Sequence, residues 1–382
     1  MKRNLIKAVC LSAAVCTVAA LAQVAFGASS NSTVAYVYVS GQTAKNSGKY
    51  HVMAFAVNSK GELTTVPGSP FAADVSNMAV NGKYLFGSDM SSNDNDIDTW
   101  MIHSNGSLTF TNTTSVREKN GNCDTPGAIF LDHTGHSLYN NDYNCENATY
   151  QAFAVENGGT LKFLDYANAG SPSYEGVLSF IGNNEYAYGA SCYHFTPDIY
   201  GVKRSSSGAL SMLKFNPPFP PAKSGSWCPA MAASDTTNHL AVPMVPSNDG
   251  GQTVPYQLAT YTVSSTGALS TSSTAANMPK VAVGTVLDID MAPGGKLLAV
   301  AGTSGLQIFH FNGAAPMTAY TGLLTKDQVN EVFWDNDNHL FAVSQPSGKL
   351  FVFTVTPSGY SQAAGSPHTI ANPLDLIVQP LP

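Results

Sequence analysis

One pattern recurs along this chain and limits its possible folds more than any other feature: a turn glycine followed by an apolar strand residue. Successive copies are separated by 45, 53, 49, 59, 46 and 46 residues. The glycines are Gly61, Gly106, Gly159, Gly208, Gly267, Gly313 and Gly359. Each copy follows an alternating apolar strand, and helical periodicity is almost absent. A period of this length with four short strands per unit predicts a seven-bladed β-propeller, because one blade cannot bury both faces of its sheet alone.

The two ends of the chain fit such a ring. We name the strands of a blade a to d, from the innermost to the outermost. Residues 34–39 resemble a strand b with no strand a before them, and residues 372–378 resemble a strand a with nothing after them. We therefore expect the C-terminal strand to complete the first blade, which would remove an open sheet edge. The alternative is a loose C-terminal tail.

The N-terminus has the features of an export signal. Lys2 and Arg3 precede an apolar run over residues 8–22, and small residues surround Gly27. This pattern predicts a signal peptide over residues 1–27 and a propeller over residues 31–382 in a secreted or periplasmic protein. An uncleaved membrane anchor is the alternative.

Charge limits the possible partners. Charged residues make up only 11% of the chain, the formal net charge is −7, and no basic run occurs. Nucleic acid and anionic membrane surfaces are therefore poor partners for this protein. We expect a monomer without a cofactor, with no membrane association after signal cleavage.

Four cysteines follow the signal segment, and an oxidising compartment favours their pairing. In a propeller, the connections d-to-a and b-to-c share one face, which usually holds the ligand site at the mouth of the central channel. All four cysteines fall on connections of that face. From these positions we predict the disulfides Cys123–Cys145 and Cys192–Cys228, which would anchor exposed loops or make a pocket rigid.

The segment AFAVNSKGELTTVPGSPF at residues 54–71 and a second Gly-Ser-Pro at residues 365–367 resemble the lactonase-type seven-bladed propellers. This group includes 6-phosphogluconolactonases and relatives of carboxymuconate cycloisomerase. The resemblance covers the whole mature chain, and it implies the propeller fold and hydrolysis of a lactone. At the entries to two inner strands, Pro126 and Pro229 match the family, whereas the histidines that follow in lactonases are absent here.

Sorting of the connections by face gives the candidate site residues. Four histidines, His133, His136, His239 and His339, fall at turns of the other face and are expected to be exposed to solvent. His194 and His368 are better placed for acid–base chemistry. The predicted catalytic residues are His194, Glu175 and Arg117, and the predicted ligand-binding residues are Asp124, Trp227, Asp288 and Glu331. For each of them, ordinary polarity of a connection is the alternative.

Two ligand classes are disfavoured. The mature chain has only two arginines, and Arg204 is predicted on the face away from the mouth. A phosphorylated substrate usually recruits several guanidinium groups, which argues against 6-phosphogluconolactone. Residues 94–98 carry alternate aspartates, as a Ca²⁺ loop does, but the required Gly and Glu positions hold Thr99 and Asn105. We therefore predict no metal site.

Three functions remain open. The leading hypothesis is binding of a small molecule, a glycan or a protein at the channel mouth. The second is hydrolysis of an unphosphorylated lactone, with His194 or a carboxylate at the mouth as the base and Arg117 stabilising the oxyanion. The third is a passive interaction protein of the envelope or the extracellular space.

Overall fold

A computed structural model describes residues 32–45, 47–88, 95–116, 126–142, 149–168, 176–193, 196–214, 216–222, 225–246 and 254–382. These residues form seven antiparallel sheets arranged as the blades of a propeller, as predicted. The strands of blades 1 to 3 are as follows. Blade 1 contains β1 (Thr33–Gln42), β2 (Tyr50–Asn58), β3 (Leu63–Thr65), β4 (Phe71–Ala72) and the closing strand β31 (Pro373–Pro380); blade 2 contains β5 (Asn77–Val80), β6 (Tyr84–Ser88), β7 (Asp96–Ile102) and β8 (Leu108–Ser115); blade 3 contains β9 (Ile129–Leu131), β10 (Ser137–Asp142), β11 (Thr149–Val155) and β12 (Leu161–Asn168), with a 3-10 turn at Asn157–Gly159.

Blades 4 to 7 repeat the pattern, with a divided inner strand in blade 5. Blade 4 contains β13 (Ser179–Phe180), β14 (Tyr186–Tyr193), β15 (Thr196–Arg204) and β16 (Leu210–Met212); blade 5 contains β17 (Trp227–Pro229), β18 (Ala233–Ser234), β19 (His239–Pro246), β20 (Gln257–Val263) and β21 (Leu269–Ser270); blade 6 contains β22 (Val286–Met291), β23 (Leu297–Gly302), β24 (Gly305–Asn312) and β25 (Ala315–Ala319); blade 7 contains β26 (Glu331–Trp334), β27 (His339–Ser344), β28 (Lys349–Thr356), β29 (Gly359–Gln362) and β30 (His368–Thr369).

The ring closes as the sequence predicts. Strand β31 pairs with β1 in antiparallel register from Ala35↔Pro380 to Gly41↔Pro373. The last residues of the chain thus supply the innermost strand of a blade whose other strands come from its beginning. This pairing leaves blade 1 with the same sheet order as the other blades and covers the inner edge of β1.

Contacts between neighbouring blades explain why the turn glycine recurs. In six of the seven blades, the turn glycine lies over a residue near the start of strand b in the preceding blade; Gly359 is the exception. Gly267 of blade 5 adopts a φ of +82°, and a Cβ atom there would lie 2.8 Å from Tyr186 of blade 4. The Tyr188 hydroxyl donates to the Gly267 carbonyl at 2.7 Å. Gly106 repeats this arrangement with Tyr36 and Tyr38 of blade 1. Glycine is required both for the left-handed conformation and for the close approach.

One histidine prediction was wrong. His339, expected to be exposed at a turn, is only 1% exposed and packs beneath Gly61 of blade 1. Its Nδ1 atom lies 2.6 Å from the Asp335 carboxylate, which is also buried. The position is that of Tyr36 and Tyr186 in other blades, so the imidazole fills an interface between blades. His133 and His136 are exposed, as predicted, and His239 is partly buried.

Candidate functional site

The inner strands of the seven blades surround a central cavity of about 740 Å³. Its walls differ around the ring. On the side of blades 3 to 5, the lining is mainly apolar and includes Ile129, Leu178 and Met231. On the side of blades 6, 7 and 1, the lining contains the carboxylates of Asp288, Asp290, Glu331 and Asp375, which we call the acidic arc. The lining residues that the structure describes include no lysine or arginine.

Three members of the acidic arc occupy equivalent positions in successive blades. Asp288 lies on β22, Glu331 on β26 and Asp375 on β31, each near the end at which the chain enters the inner strand. Asn77 follows at the same position on β5 of blade 2. Because d-to-a connections enter the inner strands there, the arc lies toward the mouth face of the channel, where Asp288 and Glu331 were predicted.

The two aspartates at these positions connect neighbouring blades. Asp288 Oδ2 accepts a hydrogen bond from the Val332 N–H of blade 7 at 2.8 Å. Asp375 Oδ2 accepts one from the Met78 N–H of blade 2 at 2.5 Å. Their Oδ1 atoms accept from the N–H groups of Ile289 and Leu376, the next residues along the chain, each at 2.8 Å. Both oxygens of each aspartate are therefore engaged by the backbone.

Glu331 differs from its two counterparts. By analogy, its carboxylate would accept from Leu376, but that N–H donates to Asp375 instead. No residue in the described part of the chain donates a hydrogen bond to the Glu331 carboxylate. The side chain is partly exposed within the channel and is one methylene longer than aspartate. Glu331 is thus the carboxylate in this arc that can bind a ligand without first breaking a contact between blades.

The environment makes ionisation of the arc unfavourable. Burial raises the pKa of Asp288 to about 6, although the N–H groups of Val332 and Ile289 oppose this rise. Burial, supported by the charge of Asp288, raises the pKa of Asp375 to about 7. The pKa of Glu331 is raised well above its ordinary value, first by burial and then by the charges of Asp288 and Asp375. Because no cation lines the described channel, these carboxylates repel one another without compensation.

Asp290 lies two residues further along β22 and is the deeper member of the arc. Its Oδ2 atom accepts from the Trp334 N–H at 3.2 Å, and its carbonyl accepts from the Trp334 indole at 3.2 Å. Burial and the charge of Asp288 raise the pKa of Asp290 well above its ordinary value. Asp290 therefore serves mainly as a contact between blades 6 and 7.

The far end of the channel also contains carboxylates, but these have partners. Asp132 forms an ion pair with Arg204 of blade 4, and Asp235 lies 2.9 Å from His239 Nδ1. Arg204, predicted on the face away from the mouth, indeed lies at this end. Burial opposes ionisation of Asp132, but the Thr134 hydroxyl, the Arg204 charge and the Ser137 N–H outweigh it and lower its pKa.

The other predicted site residues are distributed as follows. Arg117, Asp124, Glu175, His194, Cys123 and Cys145 lie outside the described residues. Trp227 is 2% exposed and packs in the core between blades 4 and 5 rather than among the described lining of the channel. His368 lies on β30, partly buried against Phe55.

The predicted disulfide Cys192–Cys228 is confirmed. It joins β14 of blade 4 to β17 of blade 5, with a Cα–Cα distance of 5.2 Å. Such a bond fits an oxidising compartment outside the cytoplasm. Among the described residues, we find no helix long and apolar enough to cross a membrane.

Metal binding receives no support from the described residues, which contain no group of three or more His, Cys, Asp or Glu side chains arranged to hold an ion. Of the acidic segment at residues 94–98, Asp96 and Asp98 lie on β7, and Asp94 is outside the described residues. The Thr113 hydroxyl donates to Asp98 at 2.5 Å.

Comparison with solved structures places this architecture among known propellers. A putative 6-phosphogluconolactonase from Bacteroides fragilis matches with a TM-score of 0.65 and 15% identity over 92% of this chain and 99% of its own. A putative 6-phosphogluconolactonase from Bacteroides uniformis matches with a TM-score of 0.64 and 12% identity over 91% and 100% of the two chains. The chain has the fold of the lactonase-type propellers. No protein-family model and no curated protein sequence matches this chain.

A protein from Lactobacillus plantarum shows the same fold, with a TM-score of 0.60 and 14% identity over 90% of this chain and 99% of its own. At such identities the similarity establishes the architecture, and it leaves the chemistry to be argued from the site.

Sequence reasoning placed Asp288 and Glu331 at the mouth but did not single out Asp290 or Asp375. A signal for Asp375 was present in the chain. The inner strands of units six, seven and one read VLDID, EVFW and PLDLIV, with an acidic residue at the entry of each. Alignment of these inner strands with one another would have identified the arc.

Proposed function

We propose that this propeller is exported and binds a small molecule without negative charge at the mouth of its channel. The observation that carries the proposal is the contrast within the acidic arc, where Asp288 and Asp375 are held by backbone N–H groups and Glu331 is not. A ligand that donates hydroxyl or amine hydrogens can satisfy Glu331 and relieve the repulsion among the three carboxylates. A phosphorylated or carboxylated ligand would add a further negative charge to a described lining without lysine or arginine.

Calorimetric titration of the purified chain with uncharged sugars and sugar lactones tests the proposal, with the 6-phosphorylated forms as comparison. We expect saturable binding of an uncharged compound and none of its phosphorylated counterpart. Glu331→Gln should weaken binding roughly 10- to 100-fold, because the amide replaces one acceptor oxygen by a donor and accepts hydrogen bonds more weakly than a carboxylate. Glu156→Gln, a change at an exposed site outside the channel, is the matched control. Preference for the phosphorylated ligand would contradict the proposal.

A second candidate is hydrolysis of an uncharged lactone. Here the Glu331 carboxylate accepts a proton from water as the water oxygen attacks the lactone carbonyl. The ester bond of the ring then breaks, and the protonated Glu331 returns the proton to the leaving oxygen. The raised pKa of Glu331 suits this role because it makes the carboxylate a stronger base than an ordinary glutamate. The fold shared with proteins described as putative 6-phosphogluconolactonases also favours this reaction class.

Assays with unphosphorylated lactones separate the two candidates. If the chain is a hydrolase, Glu331→Gln should lower kcat by roughly 100-fold or more. Arg117→Ala and His194→Ala test the predicted oxyanion and base roles of two residues that lie outside the described part of the chain. Binding without turnover would support the binding module. The absence of both binding and turnover would support the passive interaction protein. If the protein is exported, we expect the mass of the mature chain to correspond to a protein that begins after residue 27.

A further inference from the structure

The acidic arc lies where the ring is closed. Strand β31 carries Asp375 and packs against β1, β5 and β26, and the last of these carries Glu331. Strand β26 in turn packs against β22, which carries Asp288 and Asp290. The carboxylates therefore stand on the interfaces between blades 6 and 7, 7 and 1, and 1 and 2. These include both interfaces made by the strand that joins the two ends of the chain.

No cation compensates these carboxylates from the strands around them. The strands that pack against the arc are β1, β5, β18, β23 and β27, and none contains a lysine or an arginine. Their titratable residues are Tyr36, Tyr38 and His339. The two tyrosine hydroxyls donate to carbonyls of blade 2, and His339 is bonded to Asp335. Across the channel, the described titratable side chains in the lining are Asp132, His133, Tyr200 and Asp235.

We propose that the acidic arc is a pH-sensitive latch on ring closure, which holds β31 firmly while protons are bound and loosens it when they are lost. The hydrogen bonds from Met78 and Val332 position the aspartates across blade interfaces, so their mutual repulsion acts on those interfaces. This inference concerns the stability of the ring and is independent of the proposed ligand.

The direction of the pH effect follows from the raised pKa values. Unfolded aspartate and glutamate lose their protons near pH 4, whereas Asp288 and Asp375 retain theirs to about pH 6 and 7. Between these limits the folded protein binds more protons than the unfolded chain. The stabilisation is therefore fully present below about pH 4 and is lost as the pH rises through about 6 to 7.

The latch can be tested by thermal unfolding of the ligand-free protein between pH 5 and 8.5. We expect the melting temperature of the wild type to fall by roughly 2–4 °C or more across this range. Glu331→Gln should reduce the fall, because it eliminates one charge from the arc and breaks no described hydrogen bond, while burial of Asp288 and Asp375 leaves the remainder. Asp375→Asn is the second variant, and Asp74→Asn, at an exposed position outside the arc, is the matched control.

Hydrogen exchange locates the effect. After correction for the intrinsic rate at each pH, protection of residues 373–380 should decrease as the pH rises, and Glu331→Gln should reduce that decrease. Residues 150–155 of blade 3 should show no such change. The proposal is overturned if the melting temperature is independent of pH, if neither variant alters the fall, or if all blades lose protection equally. A pH dependence that vanishes on addition of Ca²⁺ or Mg²⁺ would assign the arc to a bound cation instead and would also overturn it.

Discussion

Carboxylates occur at both ends of the propeller channel, and their surroundings are opposite. At the mouth, Asp288, Glu331 and Asp375 face one another without a described cation. At the far end, the aspartates that begin the a-to-b turns have partners, which are Arg204 for Asp132, His239 for Asp235 and His339 for Asp335. We call this second set the turn aspartates. The carboxylates thus have arginine or histidine partners at one end and no described cation beside them at the other.

The turn aspartates share a further geometry that the mouth lacks. In each turn, Oδ1 accepts the backbone N–H of the residue four positions later, at 3.2 Å for Asp132, 2.9 Å for Asp235 and 2.8 Å for Asp335. These contacts fix the turn within one blade. The partner side chain then occupies or reaches the next interface. At this end each turn aspartate has a side-chain partner, whereas the carboxylates at the mouth face one another without a described cation.

The largest expected effect comes from removal of an ion-pair partner at the far end of the channel. Arg204→Ala leaves the fully buried Asp132 carboxylate without its ion-pair partner, so the free energy of unfolding should fall by about 3–5 kcal/mol. Urea unfolding at neutral pH measures this loss. The neighbouring change Lys203→Ala removes an exposed pair with Glu185 and should lower the free energy of unfolding far less. Equal costs for the two variants would mean that the Asp132 pair is no more than a surface contact.

A smaller effect is expected when one aspartate at each end of the channel is replaced by asparagine. Asp335→Asn removes the charge that faces the buried His339 and should cost about 1–3 kcal/mol. Asp375→Asn removes a charge that is repelled by its neighbours and keeps an oxygen that can accept from Met78. At pH 8 its stability should equal or exceed that of the wild type. A loss at Asp375 as large as that at Asp335 would show that the two ends do not differ in the way proposed.

The smallest expected effect is the loss of Asp235's contribution to the free energy of unfolding at low pH. The pKa of Asp235 is lowered because hydrogen bonds from His239 and Thr237 outweigh its burial. Its contribution is present above about pH 4 and is lost as the pH falls through the lowered value, the reverse of the mouth. The difference in melting temperature between the wild type and Asp235→Asn should therefore decrease as the pH falls below about 4. A difference that persists unchanged would assign the effect to packing.

Much of the fold could be predicted because the repeat depends on local sequence features. The turn glycines, the alternating strands and the unpaired strands at the two ends are each visible without knowledge of distant contacts. The site was harder to predict. Asp288 and Glu331 were selected by the face on which they should lie, and the structure places both in the channel. Asp375 was interpreted only as part of the closing strand. The burial of His339 was not predicted, because a histidine at a turn gives no local sign of the glycine that packs over it.

The sequence by itself determined the number of blades, the closure by the C-terminal strand and the Cys192–Cys228 pair, since these follow from periodicity and connectivity. Only the tertiary structure decided which carboxylates are compensated. The ion pair between Asp132 and Arg204, and the repulsion of Glu331 by Asp288 and Asp375, both involve side chains from different blades that are distant in the chain. The pKa of each group, and hence its capacity for binding or proton exchange, is set by those encounters rather than by its own neighbours in sequence.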